Sequence, residues 1–383
     1  MVDTSRSKAF ELTAIASAAL VVTLVFVNRW VITDLGVLSF GRVWQYFVSY
    51  TDFGFARREL WGTVLSITGI NHLFENAYYF AYVFYVIEVI ALLGGVWLFL
   101  LKNASDKNFW FYTALFFSPV LVLQSGYLTG TQDLQLLLIA FFLALYVRNN
   151  IVFTIGCCAG VLTHELFVFL LPFLFLVQYL KTAPAISLRG VFSWRMIAPA
   201  GMVVLVILVT VLGGRLDISK SRYEQVMAEK MPVAAHQHSL WSGYSEISSS
   251  VEKNADTASH TLAEIRNNLA WVAVPLAYAL LIAFIAVYFL SIGSVRFRTV
   301  LFVSILLPLL TVLVATDVYR WIGMTGDLAW LLILVATGRG QHTAPRWCFI
   351  VLTLFVVVAP FGAAQIDWPF PAQQLLLEKA GVL

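Results

Sequence analysis

Ionisable side chains occur at four widely separated places in an otherwise apolar chain. These are Asp52 with Arg57 and Arg58, Asp133, His164 with Glu165, and Asp317 with Arg320. Charged groups are costly at membrane depth, so each of these places is a candidate functional site. A carboxylate can take a proton from a hydroxyl group, and a guanidinium offers a planar fork of donors that suits phosphate oxygens. Together these residue types suggest group transfer from a phosphate-bearing molecule.

The first place lies in the segment TDFGFARRELWG. Asp52 could act as a general base towards an acceptor hydroxyl, and Gly54 lets the chain bend beside it. Arg57 and Arg58 could hold a phosphate. Structural roles remain open for all three charged residues. Asp52 can cap a helix or pair with an arginine, and the arginines can snorkel to lipid headgroups.

The next two places also have functional and structural interpretations. Asp133 precedes the apolar run LQLLLIAFFLAL, where it can cap a helix, contribute to a site, or do both. His164 and Glu165 fall at a predicted bend between two short helices, which are hinged at these residues and at Gly160. There they could shuttle a proton, bind a metal or stabilise the turn. The segment HELFVF lacks the second histidine of a zinc-protease motif.

The fourth place and two other sets of polar residues also have more than one interpretation. Asp317 and Arg320 share a helix face, so they either pair or leave Arg320 to bind an anion, with Asp327 one to two turns deeper. Glu88 lies in an apolar segment and should face another helix or a water-filled cavity. His236 and His238 could bind a metal, although a solvated loop is the simpler interpretation.

The composition indicates a membrane protein. Of the 383 residues, 60% are hydrophobic and 12% are charged, whereas soluble proteins carry about 25% charged residues. The net charge of +3 gives no support for nucleic acid as a partner. Apolar runs predict an all-α polytopic bundle of about eleven spans. We place them near 11–30, 76–101, 109–123, 132–147, 151–163, 166–180, 196–213, 270–291, 299–316, 322–338 and 347–361.

The positive residues favour a cytoplasmic N-terminus and two separate helices between 151 and 180. With two helices, every short inside loop contains Lys or Arg, as the positive-inside rule favours. With one helix, the later basic clusters face outward. The inside residues are then Arg6, Lys8, Lys102, Lys107, Arg148, Lys181, Arg189, Arg195, Arg296, Arg298, Arg339 and Arg346. In this topology all four chemically interesting places fall on the extracytoplasmic face.

Two outside segments are long and divide the chain into predicted modules. Segment 31–75 has apolar residues at helical spacing, from Val43 to Val48 and from Leu60 to Ile67, which is typical of short interfacial helices. Segment 214–269 is a polar loop that separates an N-terminal module, 1–213, from a C-terminal module, 270–383.

This layout resembles the GT-C superfamily of membrane glycosyltransferases. The resemblance covers roughly residues 1–270, with Asp52 in YTDFGFARR at the position of the first-loop catalytic carboxylate and Asp133 in GTQD at that of a second acidic residue. It implies donor-phosphate binding by basic residues in the later half, a role that Arg320 could fill. The family's frequent Asp-Glu pair is absent, because Phe53 follows Asp52. Use of a divalent metal is left open.

The expected function is transfer of a sugar from a polyprenyl-phosphate-linked donor to an extracytoplasmic glycan or lipid acceptor. A lipid-linked donor suits an outward-facing enzyme, because cytoplasmic nucleotides do not reach that side. Asp52 would be the base, Arg57, Arg58 and Arg320 would hold the phosphate, and Asp133, His164, Glu165 and Asp317 would support the site or bind the acceptor. We expect location in a bacterial inner membrane. The alternatives are a lipid-linked oligosaccharide polymerase or ligase and, from another class, a transporter or flippase.

Overall fold

The structure is a computed structural model in which most of the chain is described. The described residues are 4–33, 40–73, 77–103, 109–121, 132–183, 186–214, 216, 218–231, 243–244, 247–248, 262–263, 265–266, 269–289, 292–313, 318–340 and 344–358.

The described residues form helices and their connections, and no strand occurs among them. This confirms the all-helical prediction. The α-helices are α1 Thr4–Thr33, α2 Tyr50–Phe53, α3 Leu60–Thr68, α4 Ala77–Asn103, α5 Phe109–Phe116, α6 Asp133–Leu145, α7 Asn150–Thr163, α8 Leu171–Thr182, α9 Leu188–Val191, α10 Trp194–Gly213, α11 Lys220–Lys230, α12 Leu269–Phe284, α13 Val295–Leu306, α14 Val318–Gly338 and α15 Arg346–Val358.

Several helices are compatible with integration into a membrane. Within the described residues, five are long and apolar enough to cross one, and they lie in α1, α4, α10, α14 and the helix that continues α12 to Phe289. Shorter apolar helices include α6 and α7. The predicted eleven-span count therefore stays a prediction.

Helix α14 lies at the centre of the bundle. In its apolar stretch Arg320–Gly338, 94% of the residues are buried, whereas in the stretch Trp194–Gly213 of α10 only 17% are buried. A helix that is apolar all round is buried by its neighbours or by lipid. Thus α14 is enclosed by protein, and α10 presents most of its side chains to the surroundings. Two ionisable residues, Arg320 and Asp327, are carried on the enclosed helix.

Helices α7 and α8 are separate, as predicted, and the chain reverses between them. The Nε2 atom of Gln178, near the end of α8, donates to Oδ1 of Asn150, at the start of α7, over 2.9 Å. A short 3-10 helix, Glu165–Phe169, joins the two. The bend is at His164, which has an extended backbone, and not at Gly160 as well. Gly160 lies inside α7, where an added Cβ would be 2.4 Å from the Phe167 ring.

The segment 40–73 differs in part from its predicted form. Val43, Trp44, Phe47 and Val48 are essentially inaccessible, so they belong to the protein core and not to a helix lying on the membrane surface. Helical spacing of apolar residues is equally typical of core packing, which explains the error. By contrast, α3 leaves Ile67 73% exposed, which fits the predicted interfacial position.

Candidate functional site

Glu165 lies beside two arginines of the segment 40–73, Arg57 and Arg58. Its Oε1 accepts from Nη2 of Arg58 over 2.8 Å, and both of its carboxylate oxygens lie within 3.3 Å of Arg58 Nε. Arg57 is more distant, with Nη1 4.0 Å from Oε1. Burial opposes ionisation of Glu165, but the nearby Arg58 outweighs it and holds the pKa of Glu165 well below its usual range. The pair is charged at neutral pH.

The backbone at Arg58 is strained. Its φ is +66°, the left-handed region that costs a side-chain-bearing residue about 1–3 kcal/mol. The carbonyl oxygen of Arg58 accepts from Nε2 of Gln132 over 3.1 Å, which fixes the segment against the start of α6. Strain that the surrounding contacts maintain is common at functional sites. Here it aims the Arg58 side chain at Glu165.

Asp133 and Arg320 form a second, fully enclosed ion pair. Nε and Nη2 of Arg320 donate to the two carboxylate oxygens of Asp133, each over 2.6 Å. The side chain of Arg320 is 4% exposed, and that of Asp133 is 0% exposed. Asp133 is the first residue of α6, but its carboxylate binds the arginine of α14 and the cap position belongs to Gln132. Asp317, the partner that the sequence offered for Arg320, lies outside the described residues.

His164 is neutral. Its Nδ1 accepts a hydrogen bond from the backbone N–H of Leu166 over 3.2 Å, so this nitrogen carries no proton. Burial and the positive charge of Arg58 lower the pKa of His164 to about 3. The 3.4 Å approach of Nδ1 to Glu165 is therefore not a salt bridge at neutral pH. In this arrangement His164 stabilises the turn, as the simpler interpretation of the sequence allowed.

Asp52 is paired with a residue that sequence reasoning missed. Its Oδ2 accepts from Nζ of Lys230 in α11 and from Oγ of Ser49. Burial raises the pKa of Asp52, but these hydrogen bonds outweigh it, so the net direction is downward. The carboxylate is ionised at neutral pH, and a quarter of its side chain is exposed.

Glu59 is a second carboxyl group near Asp52, and it was not predicted. Its Oε2 accepts from the backbone N–H of Ala56 over 3.3 Å, and no described residue bonds to its Oε1. Burial raises the pKa of Glu59 to about 8, and the charge of Asp52 adds to this rise. Neighbouring carboxyl groups whose pKa values diverge are typical of acid–base sites.

Described parts of the long segment 214–269 cover this end of the bundle. Lys230 contacts Asp52, and the carbonyl oxygen of Ile247 accepts from Nη2 of Arg57 over 3.1 Å. Tyr223 and Met227, on the inner face of α11, are fully buried. The sequence did not distinguish Lys230, because it ends a polar helix that contains several other charged residues.

Several of the predicted site residues lie close together in the described part of the chain. Arg58 contacts Glu165, its backbone contacts Gln132, and the neighbouring Asp133 binds Arg320. The roles assigned to these residues stay predictions. His236 and His238, like Asp317, lie outside the described residues.

A second polar cluster lies in the core beside Asp133. The amide of Gln135 lies near both Tyr46 and Glu88, yet no hydrogen bond of ordinary geometry joins them. Each of these three side chains has an oxygen or nitrogen atom that is enclosed without a partner. Buried polar groups without partners are costly, and waters or the hydroxyl groups of a ligand are the partners that such groups ordinarily take. In α14, both oxygens of buried Asp327 are also without a described partner.

Across the described part of the chain, no group of three or more His, Cys, Asp or Glu residues could hold a metal ion. No protein-family model, curated protein or solved structure matches this sequence.

Proposed function

We propose that this protein is a membrane glycosyltransferase that moves a sugar from a polyprenyl-phosphate-linked donor to a hydroxyl acceptor. One observation carries the proposal. Ionisable residues from distant parts of an apolar chain, Asp52, Arg58, Glu165 and Lys230 among them, gather at one end of the helices. Acid–base chemistry needs such a gathering. A bundle that needed only stability would be expected to avoid these charges.

Asp52 is proposed as the base. It is ionised and partly accessible, so it can take the proton of an acceptor hydroxyl once Lys230 moves aside. The acceptor oxygen then bonds to the anomeric carbon of the sugar, and the bond from that carbon to the phosphate oxygen breaks. Polyprenyl phosphate leaves with the electron pair. Lys230, released from Asp52, can then face the negative charge that develops on the phosphate.

Arg57 is the arginine that we assign first to the phosphate. The side chain of Arg57 is 20% exposed, against 14% for Arg58 and 4% for Arg320. Of the three arginines, Arg57 is therefore the most accessible to a ligand. Arg58 and Arg320 then position the segments that carry Arg57 and Asp52.

The proposal is tested by measuring release of polyprenyl phosphate from a panel of polyprenyl-phosphate sugars by the purified protein. We expect D52N to abolish turnover, because it removes the base but keeps the size of the side chain. E224Q is the matched control, since Glu224 is an exposed residue of α11 whose partner is Lys220. Turnover by D52N at the wild-type rate would end the base assignment.

A polymerase or ligase acting on lipid-linked oligosaccharides would use the same chemistry. The two are separated by the glycan profile of a deletion strain. Loss of long chains alone, with single-sugar products retained, would favour the polymerase or ligase.

One observation favours a transporter instead. Glu88 and Asp327 are buried within α4 and α14, away from either end of their helices, and both have carboxylate oxygens without a described partner. Transporters place such groups near the middle of the membrane. Counterflow of a lipid-linked sugar in vesicles, lost in D327N and retained in D52N, would support this class over the enzyme.

A further inference from the structure

A second polar site lies at the opposite end of the bundle from Asp52. It is a cavity of about 740 Å³, a size typical of small-molecule sites. Helix α10 begins there, and its other end approaches Arg57, because a Cβ added at Gly214 would be 3.1 Å from Arg57 Cγ. The 20 residues of α10 extend about 30 Å, the thickness of a hydrocarbon core. The cavity and Asp52 thus lie on opposite sides of one candidate span.

The cavity wall contains hydroxyl groups and positive charge. Arg148 and Arg195 both line it, and so do the hydroxyl-bearing Ser187 and Ser193. No acidic residue lines it. Among the described residues, none hydrogen bonds to or pairs with the guanidinium of Arg148 or Arg195. Two arginines that face one concave space without a carboxylate are suited to an anion with several oxygens, above all a phosphate.

The cavity is built on fixed backbone. Asn150 donates from Nδ2 to the carbonyl oxygen of Arg195 over 3.2 Å, which joins the start of α7 to the start of α10. Nε2 of Gln178 donates to the carbonyl oxygen of Arg148 over 3.0 Å. The two arginines are therefore carried on segments that are bonded to their neighbours, and only their side chains are exposed.

Large exposed apolar side chains adjoin the cavity residues. Ile151 is in the cavity wall, and Phe192 and Trp194 flank the wall residue Ser193 in the sequence; their exposed fractions are 71%, 70% and 77%. Aromatic residues favour the boundary between hydrocarbon and headgroups. A water-soluble phosphate would gain nothing from this apolar rim, whereas the acyl chains of a lipid would cover it.

We propose that this cavity binds the phosphate headgroup of an anionic phospholipid. Arg148 and Arg195 hold the phosphate, the serine hydroxyl groups donate to its oxygens, and the acyl chains lie against Ile151, Phe192 and Trp194. This inference is independent of the glycosyltransferase proposal, since it concerns the opposite side of the membrane.

The test uses the full chain, purified in a neutral detergent, and measures its midpoint of thermal unfolding during lipid titrations. We expect phosphatidylglycerol to raise the midpoint, and phosphatidylcholine and inorganic phosphate to leave it unchanged. Replacement of both arginines, R148Q/R195Q, should weaken the apparent affinity for phosphatidylglycerol about tenfold or more, because two charge-assisted contacts are lost. The matched control is R296Q, which removes an exposed arginine at the start of α13 outside the cavity.

Four outcomes would overturn the proposal. They are equal stabilisation by phosphatidylcholine, displacement of phosphatidylglycerol by inorganic phosphate, unchanged affinity in R148Q/R195Q, and an equal loss in R296Q. The second would identify a water-soluble ligand, and the last would show a general effect of surface charge. If the double variant does not fold, the wild-type comparison of the two lipids still supports or overturns the proposal.

Discussion

Three of the described carboxyl groups lie in different environments. Glu165 and Asp133 accept hydrogen bonds directly from Arg58 and Arg320, respectively, and the charge of Arg58 keeps Glu165 ionised. Glu59 has only a backbone N–H, so burial keeps it protonated near neutral pH. Ionised carboxylates and a protonated carboxyl group thus occur together among the described residues.

The pair Asp133–Arg320 provides the first prediction. Replacing the carboxylate in D133N leaves a buried guanidinium without its charge partner, which costs about 3–5 kcal/mol. The free energy of unfolding in denaturant measures the loss. The double variant D133N/R320Q removes both charges and should recover part of it. No recovery, or a loss in D133N as small as that of a surface substitution, would contradict the importance of the pair.

Glu59 gives a pH prediction with a definite sign. Its pKa is raised by folding to about 8, so its contribution is most favourable at low pH and is lost as the pH rises from about 4.5 to about 8. E59Q stays neutral at every pH. We therefore expect E59Q to match the wild type near pH 5 and to be more stable by a few kcal/mol near pH 9.

The measurement is the midpoint of thermal unfolding across that range, with E224Q as control. Parallel curves for E59Q and the wild type would mean that folding does not raise the pKa of Glu59.

The sequence predicted which residues converge, but not how they pair. The topology followed from Lys and Arg residues in short loops, and it brought Asp52, Glu165 and Arg320 to one end of the helices. Lys230 and Glu59 were missed because their significance arises only from tertiary burial. Neither spacing nor periodicity distinguishes Glu59 from an ordinary residue at a helix start.

At the scale of elements, hydropathy located the helices well and their environment poorly. An apolar run predicts a helix whether lipid or protein surrounds it. For this reason α14, which is enclosed, and α10, which is exposed, were not distinguished. The buried segment around Trp44 was assigned to the membrane surface for the same reason.

The reversal between α7 and α8 depends on close packing at Gly160. In G160A the new methyl group would meet the Phe167 ring, so we expect a loss of about 1–3 kcal/mol in the free energy of unfolding. The second substitution in G160A/F167L should recover part of it.

The control for that series is G201A in α10, where a Cβ would meet no atom within 4 Å. Alanine there should be neutral or stabilise by about 0.5–1 kcal/mol. Equal losses in G160A and G201A would contradict the packing explanation.

At the scale of the whole molecule, the two ends of the bundle differ in chemistry. One end has carboxylates paired with cations beneath the segment 214–269, and the other has a cavity lined by arginines without acidic residues. Such a difference between the two ends suits a protein with one reacting face and one face that binds anionic lipid.

Cysteine labelling can test whether the two ends face opposite sides of the membrane. The experiment uses a variant without Cys157, Cys158 and Cys348. We expect E229C to react with a membrane-impermeant maleimide in intact cells, and S193C to react only after permeabilisation. Glu229 is exposed beside Lys230, and Ser193 lines the opposite cavity. Labelling of both positions from the same side would contradict the arrangement of α10 across the membrane.

An experimental structure with polyprenyl phosphate bound would show directly whether Asp52 belongs to the active site. We expect phosphate density within hydrogen-bond distance of Arg57 or Lys230, beside Asp52. Phosphate density only at Arg148 and Arg195, or nowhere near Asp52, would contradict it.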